Sequence, residues 1–185
     1  MAFRFETSAR VRRHDPKSTL SRRPDEALPF VGARVEAGNG LLLDTCVYID
    51  QMQGRTPQVL DHLIAIRVVN HSAVAVQELL QTVGVLDPGD PRSKTAIAAI
   101  KTAVDAMPPH RLFTPDLDTL AVAAIYAGIL CRTQGYAKDD RMRALHDCTL
   151  FVQAMRLGLT VLTRSVRDFD VLLQLRPRGR VLFYR

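Results

Sequence analysis

The 185-residue chain has only three cysteines, Cys46, Cys131 and Cys148. An odd number at wide spacing offers no disulfide framework and no Cys-x-x-Cys metal knuckle. It suits a reducing compartment, and a cytoplasmic location is expected. Long apolar runs are missing as well. The longest, Leu120 to Cys131, falls short of the ~20 residues that cross a bilayer, so no membrane partner is expected. The basic N-terminus lacks the apolar stretch of a secretory signal. The five histidines (His14, His62, His71, His110, His146) form no His-x-x-x-His pair, which argues against a histidine-built zinc site. Residues 41–185 contain no internal repeat or low-complexity tract.

What is present suffices for a core: 47% of residues are hydrophobic and 24% charged, ordinary values for a globular protein. The net charge of +6 favours a polyanionic partner, nucleic acid or an anionic surface. Residues 1–40 differ from the rest. Arg4, Arg10, Arg12, Arg13, Lys17, Arg22 and Arg23 are scattered among Ser, Pro, Asp and Glu with few periodic apolar positions. This composition predicts a mostly disordered basic arm, either a solvated tail or an electrostatic arm for RNA or a partner. A folded domain is expected over 41–185.

Within that domain strands alternate with helices. Leu41-Leu42-Leu43 is short and wholly apolar, as in a strand buried on both faces of a parallel sheet. Thr45 to Gln51 then turns into a short helix. Thr56-Pro57 predicts a capped helix to about Ile66. Val68 to His71 reads as a strand, and Ser72 caps a helix with Val76, Leu79, Leu80 and Val83 on its core face. After the loop Asp87 to Pro91 come helices from Ser93 to Ala106, from Thr114-Pro115 to about Cys131, and from Arg141 to Leu157, the last ending at Gly158. Thr160 to Thr163 is a strand, Asp168 to Leu175 a short helix and Val181 to Tyr184 a final strand. Parallel strands need crossovers, so the pattern predicts an α/β fold: a three-layer α/β/α sandwich around a mostly parallel sheet of four to five strands. Sites in such sheets lie outside the carboxyl ends of the strands.

Acids fall there. Asp44 ends the first strand. Glu78 sits two turns into the helix after the second. Asp147 shares a helix face with Leu150, Phe151 and Ala154, on a helix apolar round most of its girth, where a carboxylate is costly unless paired or bound to a cation. Several converging carboxylates raise each other's pKa, and a hard divalent cation with oxygen ligands, Mg²⁺ or Mn²⁺, removes that penalty. Each acid has a structural alternative: Asp44 as a helix cap, Glu78 as a solvated helix residue, Asp147 paired with an arginine such as Arg143. His146 is expected to point elsewhere on its helix.

Four segments in this order resemble PIN-domain nucleases, and within them the VapC-type toxins of bacterial toxin–antitoxin pairs. They are Leu41 to Ile49 around Asp44, His71 to Leu80 around Glu78, His146 to Ala154 around Asp147, and Gly158 to Phe169, where Thr163-Arg164-Ser165-Val166-Arg167-Asp168-Phe169 is similar to a Thr-x-Asn-x-x-Asp-Phe signature. The resemblance covers about residues 41–185. It implies a PIN-like fold, magnesium-dependent endoribonuclease activity, a homodimer and a cognate antitoxin. It also implies that Asp44, Glu78, Asp147 and Asp168 are the metal-binding catalytic acids. Ser165 stands where many relatives carry Asn or Asp; it is a poorer ligand, which favours one metal site over two. Thr163 and Ser165 then orient water or phosphate, and Arg164 and Arg167 contact the RNA backbone.

Three other readings remain open at this stage. The first is a PIN-like module that binds RNA or protein without cutting. The second is a phosphotransferase with an aspartyl nucleophile at Asp44, against which Cys46 stands where such enzymes carry a second Asp. The third is a basic adaptor that binds through its arm.

Overall fold

The computed structural model describes residues 4–14, 16–32 and 37–185. Its centre is a five-stranded, all-parallel sheet of order β3-β2-β1-β4-β5. The strands are β1 (Leu41–Leu43), β2 (Val69–Ser72), β3 (Leu112–Phe113), β4 (Thr160–Thr163) and β5 (Val181–Phe183). Successive residues of a strand face opposite sides, and the core divides accordingly. Leu42, Val161, Val181 and Phe183 face one way, onto α6 (Leu117–Gln134), α7 (Arg141–Leu157) and α8 (Val166–Leu175). Leu41, Leu43, Leu162 and Tyr184 face the other way. There they meet α2 (Thr45–Met52), α3 (Gln58–Ile66), α4 (Ala73–Val85) and α5 (Pro91–Asp105). This is the three-layer sandwich expected from the alternation of elements. The strand Leu112–Phe113 was not anticipated: two residues are too few to show a period, and its pairing with His71 and Ser72 defines it.

The local signals set most boundaries. Ser72 caps α4 by accepting from the Val74 amide at 3.1 Å. Gly158, at φ +68°, ends α7 in the left-handed conformation that favours glycine, and the Leu159 amide reaches back to the Ala154 carbonyl at 2.9 Å. Two caps lie elsewhere than expected. Pro57 is itself the N-cap of α3, with ψ 144°. Asp116, not Thr114, caps α6, accepting from the Thr119 amide at 2.7 Å; a residue before proline is held extended, and here the extension runs on to Asp116. Leu80, expected on the core face of α4, is 53% exposed, and Ala75 takes the buried place beside Leu79.

The segment read as a disordered arm carries ordered structure where it is described. Helix α1 (Phe5–Ala9) and the turn after it pack near α6. Arg23 donates to Asp170 through both its amide (2.8 Å) and its Nε (2.6 Å). Leu28 is buried, and Phe30 pairs in parallel with Phe183. The expectation of disorder is thus corrected for these stretches; for residues 1–3, 15 and 33–36 it lies outside the described residues. The order comes from a few long-range contacts between unlike residue types, which leave no period in the sequence.

Candidate active site

Each candidate acid is delivered by its own element. Asp44 follows the buried strand β1 and is the N-cap of α2, as its reading as a helix cap has it. Its Oδ1 accepts from the Thr45 amide at 2.7 Å, and its Oδ2 from the Thr163 hydroxyl at 2.5 Å and the Cys46 thiol at 3.1 Å. Burial pushes the Asp44 carboxyl pKa up and Glu78 adds to this, while these donors pull it down. Burial and the Asp44 charge push the Cys46 thiol up to about 12, so the sulfur stays a protonated donor.

Glu78 projects from α4 back to the head of α2. Its Oε2 accepts from the Thr45 hydroxyl, and its Oε1 lies 3.0 Å from His146 Nδ1. Rather than solvated, it is held on both oxygens. His146, expected to point away, is 8% exposed and turned onto Glu78.

Asp147 is one residue on, in the middle of α7, and 6% exposed. Its Oδ2 is buried and finds no hydrogen-bond partner among the described residues. Burial raises its pKa well above the ordinary carboxyl value, and Asp44, Asp168 and Glu78 raise it further; the Arg143 charge opposes them weakly. The four acids therefore share one electrostatic neighbourhood. Arg143 does not pair with Asp147: it contacts Asp140 at 3.2 Å and lies 3.9 Å from Asp168.

Asp168 opens α8. Its Oδ1 accepts from the Tyr136 hydroxyl and its Oδ2 from the Ser165 hydroxyl at 3.0 Å. Thr163, at the end of β4 and fully buried, also accepts from the Ser165 amide at 2.9 Å. Thr163 and Ser165 thus act as braces for Asp44 and Asp168. Arg164 turns to the buried Asp50, its Nε 3.1 Å from that carboxylate, and Arg167 is exposed. As the side chains stand, no three Asp, Glu, His or Cys groups among the described residues form a ready-made metal cage.

Thr45, Tyr136 and His146 were missed as partners of the acids. Thr45 adjoins the first acid, which was a usable signal. Tyr136 lies in a loop, and the His146–Glu78 contact joins two helices whose mutual rotation a sequence does not reveal.

No protein-family model and no curated protein matches the sequence. Solved structures do match the backbone. A member of the VapBC family of toxin–antitoxin systems, VapBC-5 from Mycobacterium tuberculosis, is 19% identical with a TM-score of 0.52, covering 80% of this chain and 98% of that one. FitAcB from Neisseria gonorrhoeae is 22% identical with a TM-score of 0.52, covering 78% and 96%. VapBC2 from Rickettsia felis, solved with a promoter DNA fragment, is 11% identical with a TM-score of 0.53, covering 78% and 98%. Likeness at such identities speaks for the fold. The chain has the PIN-like α/β/α fold shared with chains of VapBC toxin–antitoxin complexes and of FitAcB.

Proposed function

We propose that the chain is a divalent-metal-dependent endoribonuclease acting as the toxin of a toxin–antitoxin pair. The carrying observation is Asp147: a buried carboxylate with one oxygen unpartnered among the described residues, set among three further acids. Such a group is costly in a folded protein unless a cation compensates it. Asp44, Glu78, Asp147 and Asp168 offer oxygen donors only, which suits Mg²⁺ or Mn²⁺. An ion bound there offsets the acids' repulsion and supplies Lewis-acid polarisation of a phosphodiester and activation of water.

The protein's own groups set the geometry. Thr163 and Cys46 orient Asp44, Thr45 and His146 orient Glu78, and Tyr136 and Ser165 orient Asp168. Because the Ser165 hydroxyl donates to Asp168, one strong metal site is favoured over two. Arg143 adds positive charge beside Asp168, and the exposed Arg167 and half-exposed Arg164 are placed to meet backbone phosphates. The test is RNA cleavage with and without Mg²⁺, using Asp44→Asn and Asp147→Asn. Both variants should be inactive; undiminished cleavage by either removes the assignment.

A protein partner is supported by an apolar groove of about 460 Å³ between α2, α4 and α5, lined by Ile49, Met52, Leu79, Ala96, Ala99 and Ile100. A cognate antitoxin is the occupant proposed, and a homodimer the assembly; co-purification with the product of the neighbouring reading frame and sedimentation of the free protein test these. The saturation of Asp44, Glu78 and Asp168 by protein donors favours one rival, a non-cleaving RNA-binding module. Titration with Mn²⁺ separates the two, since that module has no use for the ion. Among the described residues no helix is long and apolar enough to cross a membrane.

A further inference from the structure

Beside the acid cluster, on the β5 side, lies an arrangement that no acid requires. Asp50, on α2, is 3% exposed. It holds two arginines that reach it from different segments: Arg55, its Nη2 3.3 Å from Oδ1, and Arg164, its Nε 3.1 Å from Oδ2. The Tyr184 hydroxyl also donates to Oδ2, at 2.8 Å. Two cations on one carboxylate leave a net positive charge, and both side chains remain about half exposed, 57% for Arg55 and 46% for Arg164. Asp50 thus fixes two guanidinium groups at the surface without neutralising both, which is how a phosphate platform is preorganised.

The platform adjoins both the acids and a pocket. Tyr184 lies 3.7 Å from the Cys46 sulfur, which donates to Asp44. On its other side Tyr184 lines a cavity of about 280 Å³ with Phe30, Val31, Pro57, Val59 and Arg185. Arg185 lies over the Phe30 ring at 4.6 Å, and Phe30 rests on Phe183 at 5.6 Å. Tyr184 is itself buried, 4% exposed, so the accessible wall is Phe30 with the Arg185 guanidinium laid over it, beside Pro57; a guanidinium stacked on an aromatic ring is a surface on which nucleobases stack without sequence reading. Phe30 and Val31 come from the N-terminal arm, so the arm supplies one wall of this pocket.

We propose that this face is a nucleotide subsite for single-stranded RNA flanking the cleaved bond. Arg55 and Arg164 take a phosphate, and the Phe30–Tyr184 pocket takes the adjoining base. The proposal rests on the nuclease reading and adds to it a route for the strand, from the acids across Asp50 to the arm.

The test uses the full chain and a fluorescent single-stranded RNA of about a dozen nucleotides, within the span one such surface engages. Dissociation constants are read by anisotropy across a salt series, and cleavage is followed separately. Arg55→Gln is expected to weaken binding at least fivefold and to reduce the salt slope by about 0.7 for the lost contact. Phe30→Ala is expected to weaken it about tenfold and to abolish the penalty that the wild type shows for an abasic position in the RNA. Lys101→Gln, on α5, where the lysine is exposed and pairs with Asp105 rather than Asp50, serves as the control for charge alone. Unchanged binding by Arg55→Gln and Phe30→Ala, with wild-type cleavage intact, overturns the subsite and leaves the nuclease standing. An equal loss in Lys101→Gln also overturns it, by showing general attraction. A wild type that neither binds nor cleaves RNA removes the nuclease reading and this proposal together.

Discussion

Two buried aspartates show how differently one side chain is used. Asp170, on α8, is fully buried and meets three donors: the Arg23 amide, the Arg23 guanidinium and the Gln174 amide at 3.0 Å. Asp147, on α7, is nearly as buried, yet one of its oxygens is unpartnered among the described residues and its charged neighbours are mainly other acids. The first fastens the arm to the domain. The second is left energetically incomplete. Partners rather than burial separate the acid that stabilises the fold from the acid to which the proposed function assigns a cation.

The largest effect that tests this contrast concerns cleavage. Asp147→Asn should lower RNA cleavage by at least a thousandfold, on the order of 4 kcal/mol of transition-state stabilisation, while leaving the fold intact by circular dichroism. Asp170→Asn should do the reverse, costing roughly 1–3 kcal/mol in urea unfolding while keeping cleavage within a few-fold where the protein is folded. A thousandfold loss from Asp170→Asn would erase the distinction.

Next comes Tyr136→Phe, which removes a donor from Asp168 and should lower kcat about tenfold, with a smaller effect on stability; an unchanged kcat would detach Asp168 from the chemistry. The smallest expected effect is on stability against pH. Because the Asp147 pKa is raised in the folded protein, the unfolded chain loses this proton first. Metal-free stability should therefore fall as pH rises from the ordinary carboxyl value, 3.8, through the folded one, and level off above it. Asp147→Asn should flatten part of that fall and raise neutral-pH stability by about 1 kcal/mol, and Mg²⁺ should restore the loss in the wild type. A metal-free protein that gains stability across this window would contradict the sign.

The alternation of short apolar runs and amphipathic segments made the sandwich legible, because β1 and β4 are buried on both faces and α7 on most of its girth. Asp44, Glu78 and Asp147 stood out for the same reason, as acids on apolar elements near the sheet's carboxyl edge, whereas Asp168 stood out only through the resemblance of Thr163 to Phe169; Asp44, Glu78 and Asp168 all lie near enough to Asp147 to raise its pKa. The partners of these acids were not legible. The His146–Glu78 contact depends on the rotation of α7 against α4, the Tyr136–Asp168 contact on a loop path, and the Arg23–Asp170 pair spans 147 residues. None of these leaves a period or a local pairing in the sequence. Gly179 is similar: a Cβ there would run into the Phe151 ring, a constraint visible only once the turn before β5 is packed.

The pairing of Phe30 with Phe183 has one more consequence. The Val31 amide donates to the Phe183 carbonyl at 2.7 Å, and the Phe183 amide to the Pro29 carbonyl at 2.9 Å. This occupies the backbone edge of β5 with the chain's own residues. At the opposite margin β3 is two residues long. Among the described residues, then, neither margin of the sheet offers a length of open backbone on which a foreign strand could template itself. Self-association through sheet extension is suppressed from both sides, and any protein that docks here must be recognised through side chains on the helical layers.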